Sequence, residues 1–235
     1  MIKKEGTKPP TQLLLWDIDG TVVHTGKAGE VAMGRALSTV FGKTGSIHDI
    51  DYPGRTDRMI CRMLLEHHGI EPTHQAVHDF VEGYLHALKE ELPLRQGTVL
   101  PGIHELLTAC RDHPSRINAL LTGNMVRGAE LKLGHYGVWE FFEFGAFADD
   151  ADERDALGPV ALDRAAELLG VPIDPRQVFI IGDTPRDIQC GRAIGAHTIS
   201  VATGAYSLEE LDAHDPDHLF PDFRDTWAFL DILEP

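Results

Sequence analysis

The run Leu13-Leu14-Leu15-Trp16-Asp17-Ile18-Asp19-Gly20-Thr21 carries four apolar residues straight into two acids and a glycine. A short continuous apolar stretch of this kind reads as a strand buried on both faces, the type found in parallel sheets. Open α/β sheets hold their ligands outside the carboxyl ends of their strands, so acids placed there lie on the functional rim. Side chains alternate along an extended chain, which lets Asp17 and Asp19 point toward the same space. Two carboxylates in one space repel, and a positive group is expected between them. Gly20 lets the backbone turn sharply and Thr21 adds a hydroxyl. An Asp-Gly turn after an ordinary strand looks the same, so this run alone does not establish a function.

With 235 residues, the chain is long enough for one large α/β domain with an insertion. The net charge of −16 argues against a nucleic-acid partner or an anionic membrane, since phosphate backbones call for a basic face. A small phosphorylated substrate is not excluded, because it needs only a local cation. No apolar run reaches membrane-spanning length, and residues 1–10 lack the apolar stretch of a secretion signal, so they are read as a flexible tail. Cys61, Cys110 and Cys190 are scattered and form no CxxC, which disfavours disulfides or a cysteine zinc cage and points to the cytoplasm.

After the first strand the texture becomes helical. Residues 30–41 carry Val31, Leu37, Val40 and Phe41 on one side; Thr56 caps a helix stopped near Gly69; Thr73 caps another in which Val77, Phe80, Val81, Tyr84 and Leu88 recur at helical spacing. From Pro101 helices alternate with strands: a strand over 117–121, another over 141–147 ending at Asp149-Asp150, one over 177–181 running into Gly182-Asp183, one over 197–202, and a short last strand over 220–223. Thr184-Pro185 opens a helix, and Ser207 with Glu210 forms a capping box. Alternation of this kind predicts a Rossmann-like parallel sheet with an all-helical cap inserted after its first strand. The predicted division is 11–23 with 95–235 as the core and 24–94 as the cap.

Three strands end in polar residues, at Asp17/Asp19, at Thr122-Gly123 and at Asp183. In a parallel sheet these ends share one rim. Converging acids form an oxygen-rich site suited to Mg²⁺, whereas the Thr122 hydroxyl and the Gly123 N–H suit a phosphate oxygen.

On the residues Asp17-Ile18-Asp19-Gly20-Thr21, Thr122-Gly123-Asn124 and Gly182-Asp183-Thr184-Pro185-Arg186-Asp187, the chain resembles the haloacid dehalogenase superfamily of phosphohydrolases. The branch it is similar to is that of phosphoglycolate phosphatase and β-phosphoglucomutase. The likeness runs from Leu13 to about Gly204 and is supported by Leu100-Pro101-Gly102 and Gly191-Arg192-Ala193-Ile194-Gly195-Ala196. The resemblance implies that Asp17 is the nucleophile that forms an aspartyl-phosphate. It implies that Asp19 protonates the leaving oxygen and later activates water. Mg²⁺ would be held by Asp17, the Asp19 backbone carbonyl and Asp183, and the phosphoryl group by Thr122 and Gly123. Asp187 would orient a metal-bound water or a cation, and as a first-turn acid it also suits the helix dipole.

The chain departs from the family where a lysine followed by proline is usual. Residues 151–159 read ADERDALGP, and Arg154 is taken as the cation that neutralises Asp17 and the phosphoryl oxygens. Lys132 is the fallback, although it falls mid-helix. Arg55, in Gly54-Arg55-Thr56-Asp57, is the candidate cap contact to substrate. His67-His68 and the pair His74 and His78 show no third metal ligand and read as solvated helix faces. The function implied is a Mg²⁺-dependent phosphatase acting on a small phosphorylated metabolite, phosphoglycolate-like or a sugar phosphate. A phosphomutase is the alternative that the motifs leave open. A dehalogenase would leave Asp19 and Asp183 without a purpose, and a non-enzymatic binder would not need the acidic set.

Overall fold

The structure, a computed structural model, describes residues 11–234; the tail expected over 1–10 lies outside the described residues. Along the chain β1 (Gln12–Trp16) is followed by β2 (Val23–His24), α1 (Ala28–Phe41), α2 (Asp57–His67), α3 (His74–Glu91), β3 (Thr98–Val99), α4 (Ile103–Asp112) and β4 (Arg116–Leu121). Then come α5 (Val126–His135), β5 (Gly145–Ala146), α6 (Leu157–Leu169), β6 (Val178–Gly182), α7 (Pro185–Ile194), β7 (His197–Val201), α8 (Leu208–Asp212), β8 (His218–Phe220) and α9 (Thr226–Ile232). Six strands form one parallel sheet in the order β5-β4-β1-β6-β7-β8, with helices packed on it.

The apolar run at the start is the central strand, and both of its faces are buried. Leu14 and Trp16 pack with Ile103, Leu106 and Leu107 of α4 on one face, and Leu13 and Leu15 pack with Leu157, Ala161 and Ala165 of α6 on the other. Trp16 stacks on Phe229 at 5.5 Å and donates its indole N–H to Asn118 Oδ1 at 3.1 Å, so its polar edge is satisfied inside the core. Fully burying side chains of this size contributes about 1.5–3 kcal/mol each.

Helices α1, α2 and α3 lie between β2 and β3 and enclose a core of their own, built on Met33, Leu37, Leu64, Phe80, Tyr84 and Leu88. Strands β2 and β3 pair antiparallel, Val23 with Val99, so the chain leaves and re-enters the sheet domain side by side. Thr56 and Thr73 cap α2 and α3 by accepting the Met59 and Ala76 N–H groups.

Two expected strands differ. In place of a strand over 141–147, only Gly145 and Ala146 find ladder partners, opposite Leu120 and Leu121, and Trp139–Phe141 forms a 3-10 turn. The aromatic residues of this stretch pack onto the core from the turn, with Arg111 over the Phe141 ring at 4.5 Å. The last strand is His218–Phe220 and not 220–223, because Pro221 has no N–H to continue the ladder. Phe223 instead meets Trp16 edge-on at 6.2 Å.

Candidate active site

Strand order places the three acidic ends together. The chain builds β4 and β5 on one side of β1, then returns to build β6, β7 and β8 on the other. This reversal opens a crevice at the carboxyl end of β1, and ligands of open α/β sheets occupy such crevices. Asp17 follows β1 directly, and its N–H continues the pairing to Ile181 O at 2.9 Å. Asp183 follows β6, and Asp187 lies in the first turn of α7. Asp17, Asp183 and Asp187 are all buried and bring carboxylate oxygens within 4.8 Å of one another.

One guanidinium faces these three acids. Arg154, on the 3-10 turn ahead of α6, has a side chain only 4% exposed; its Nη2 lies 3.0 Å from Asp17 Oδ1 and also bonds Asp187 Oδ1. Three carboxylates against one cation leave an excess of two negative charges. Burial raises the Asp17 carboxyl above its ordinary range; the facing Arg154 opposes this, and Asp187 and Asp19 add to it. Asp183 is raised further, by burial and then by Asp17 and Asp187. A donor set made only of hard carboxylate oxygens, with two uncompensated charges, fits a divalent oxygen-seeking cation such as Mg²⁺. Arg154 Nε is buried without a partner among the described residues, a position that an acceptor entering the site could satisfy.

Asp187 is tied on both sides: Oδ1 takes Arg154, and Oδ2 accepts the Thr184 N–H at 3.1 Å and hydroxyl at 2.7 Å. It therefore orients the cation and caps α7 at once. Thr21 donates to Asp183 Oδ1 at 3.2 Å. Gly204, in the loop after β7, leaves the space that Asp183 occupies; a Cβ there would lie 1.6 Å from Asp183 Oδ2. Thr122 Oγ1 accepts Asn124 Nδ2 at 2.9 Å and the Asn124 N–H at 3.3 Å, so its own proton is left to donate.

Asp17 and Asp19 do not share a cation. Asp19, with a side chain 41% exposed, pairs with Lys132 at 2.5 Å, and the Lys132 side chain is only 5% exposed. Lys132 stands at mid-helix in α5, yet it is part of the site wall and not the poorly placed fallback that its position in the sequence suggests. Burial alone would lower its pKa, but Asp19 and Asp57 outweigh this and hold it raised. Nothing in the local sequence marks Lys132, because a lysine in an amphipathic helix reads as solvated. Gly204 is equally silent as a site residue, and Asn124 is marked only by its place in the Thr122-Gly123-Asn124 motif.

Above the acids a cavity of about 330 Å³ is roofed by the helical cap, with Met33, Ile47, Tyr52, Ile60 and Tyr84 in its lining. The cap is closed on the sheet. Asp57 N–H donates to Gly123 O at 2.6 Å, Asp57 Oδ2 accepts the Met125 N–H at 2.9 Å, and the Thr56 hydroxyl donates to Asp152 O at 2.6 Å. Burial lifts the Asp57 carboxyl to about 6, against the pull of Lys132 and the Met125 N–H. Arg55 and His24 both line the cavity, but the Arg55 guanidinium is engaged by Asp51, with Nε on the carbonyl at 2.6 Å and Nη2 on the carboxylate at 3.1 Å. His67 and His68 do acquire a third possible ligand, Asp49, with ligand atoms within 4.8 Å. Asp49 and His67 are exposed, and the group sits on the turn before α2 and the end of α2, not at the carboxyl ends of the sheet strands.

The HAD-hydrolase-like family model matches residues 156–226. The chain is 24% identical over 226 residues to a phosphoglycolate phosphatase of Pseudomonas putida, covering 93% of this chain and 79% of that protein. It is 28% identical over 207 residues to an N-acetylmuramic acid 6-phosphate phosphatase of Pseudomonas aeruginosa, covering 86% of each. Among solved structures, that of a predicted phosphoglycolate phosphatase from Haemophilus somnus superposes with a TM-score of 0.74 at 19% identity, over 94% of this chain and 98% of that one.

Proposed function

We propose that the chain, which is similar to the haloacid dehalogenase-like hydrolases over residues 156–226 and to curated phosphatases over most of its length, is a Mg²⁺-dependent phosphatase of small phosphorylated metabolites, phosphoglycolate-like or sugar phosphates. The observation that carries this reading is Arg154, paired with Asp17 and still holding a buried, unpartnered Nε, in the wall of the cavity beneath the cap. Asp17 attacks phosphorus and forms an aspartyl-phosphate as the ester oxygen departs. Asp19 gives that oxygen a proton and later takes one from the water that cleaves the intermediate. The Arg154 Nε, the Thr122 hydroxyl and the Gly123 N–H hold the phosphoryl oxygens, and catalysis is mostly positioning and charge stabilisation. Asp17, Asp183 and the Asp19 carbonyl would hold Mg²⁺, which supplies positive charge where two carboxylates and a phosphate dianion would otherwise repel. Asp187 keeps Arg154 in place. The cap, with residues 24–94 as its proposed extent, limits bulk water around the intermediate and opens for substrate to enter and product to leave. The three cysteines are buried free thiols, which supports the cytoplasm as the place of action.

The test is phosphate release from a panel of small phosphomonoesters, with Mg²⁺ and with a chelator. Release that requires Mg²⁺ and disappears in Asp17→Asn is expected. A chain that releases no phosphate from any of them, or does so equally well in chelator, overturns the reading. Transfer of phosphate between sugar hydroxyls without free phosphate would make it a mutase instead.

A further inference from the structure

We propose that Lys132 is a positioning residue that clamps one oxygen of Asp19 and thereby leaves the other to exchange protons with the reacting groups. The inference rests on the acid–base role proposed for Asp19.

The Lys132 ammonium is buried in α5 beside Gly128, Ala129 and Leu133, where a charge is costly unless paired. Its partners are Asp19 Oδ2 at 2.5 Å and Asn124 Oδ1 at 2.6 Å. Asn124 Nδ2 donates to the same Asp19 Oδ2 at 3.0 Å and to Thr122 Oγ1 at 2.9 Å. Two donors thus converge on Oδ2, and Oδ1 receives none among the described residues. The clamp also reaches the phosphate-binding Thr122 through Asn124, so the acid–base group and the phosphoryl cradle are held in one rigid network. Gly29 and Tyr84 of the cap lie over the ammonium: a Cβ on Gly29 would stand 3.6 Å from Nζ and 3.8 Å from the Tyr84 hydroxyl. The nucleophile has its own cation in Arg154, so Lys132 is not needed to neutralise Asp17.

Two steps depend on Asp19 in different ways. In the first, the bond between phosphorus and the leaving oxygen breaks as Asp17 bonds phosphorus, and an alkoxide takes the Asp19 proton. In the second, Asp19 takes a proton from water while the water oxygen bonds phosphorus and the Asp17 carboxylate departs. An aryl leaving group such as p-nitrophenolate departs without a proton, so only the second step then needs Asp19.

The experiment compares an alkyl phosphate that the wild type hydrolyses with p-nitrophenyl phosphate, in wild type, Lys132→Met, Lys132→Arg and Asp19→Asn. For Lys132→Met the expected result is a loss of kcat of about 100-fold or more on the alkyl ester. KM should stay within about threefold. On p-nitrophenyl phosphate, a burst of nitrophenolate within about tenfold of the wild-type rate should precede slow phosphate release. Lys132→Arg should recover part of the alkyl activity, and Lys132→Met should cost nothing further in kcat once Asp19→Asn is present. The double variant removes both charges of the Asp19–Lys132 pair, leaves neither without its partner, and keeps the test available should Lys132→Met fold poorly. Equal losses on both esters in the burst phase, full wild-type activity in Lys132→Met, or a further loss in the double variant would overturn the proposal. A wild type that hydrolyses no alkyl phosphate of the panel and no p-nitrophenyl phosphate would overturn the phosphatase reading itself, and this inference with it.

Discussion

Arg154 shows what one residue has to supply at this site. A single terminal nitrogen serves both Asp17 and Asp187, and the group is buried with them. Arg154→Met leaves two carboxylates facing each other in a dry pocket, and a loss of about 3–5 kcal/mol in folding free energy is expected, read from urea unfolding. Arg154→Lys keeps the charge but not the fork, so it should fold closer to the wild type while losing activity. Arg154 was legible in the sequence because it is the one base in an acidic stretch that stands where the resemblance calls for a cation. Lys132 was not, because what distinguishes it is burial, and burial of a helical lysine follows from which helix faces which wall.

The helical cap meets the sheet through the start of α2, and Gly123 is where they touch. A Cβ on Gly123 would lie 2.3 Å from Arg55 O and 3.2 Å from Thr56 Cα. Gly123→Ala therefore wedges the two apart and strains the Asp57 N–H bond to Gly123 O. The expected outcome is a KM raised by about tenfold or more, from misplaced substrate contacts, with faster proteolysis of the cap. The cap helices themselves could be read locally, since Thr56 and Thr73 cap them and their apolar residues recur at helical spacing. Strand β5 could not: it is an edge strand of two residues whose length depends on where β4 offers it partners.

For the molecule as a whole, the buried acids are expected to make stability depend on pH and, under the proposed function, on Mg²⁺. Asp17 and Asp183 have pKa values raised in the folded protein, so they stabilise it while protonated, below the ordinary carboxylate range. That contribution is lost as pH rises through the raised values. Metal-free protein should accordingly melt at a falling temperature as pH is raised from about 4 toward neutrality. Saturating Mg²⁺ should restore the loss, because a ligand bound only by the folded state stabilises it. Asp183→Asn should flatten the pH dependence and make the metal-free protein more stable at neutral pH, while abolishing catalysis. Thermal unfolding in chelator and in Mg²⁺ across this range checks all three, and a metal-free wild type that gains stability with pH would contradict the account.

The central strand, the alternation that builds a parallel sheet, the helical insertion and the acids at three strand ends are all legible in the order of residues along the chain. These are local facts, written in runs, periods and caps over a few neighbouring residues. What the fold alone settles is that Asp17 and Asp19 take separate cations and that Asn124, Lys132 and Gly204 belong to the site. Each of these depends on groups far apart in the chain competing for the same buried space. There, the cost of leaving a charge unpaired selects the partner, and no short stretch of sequence records that choice.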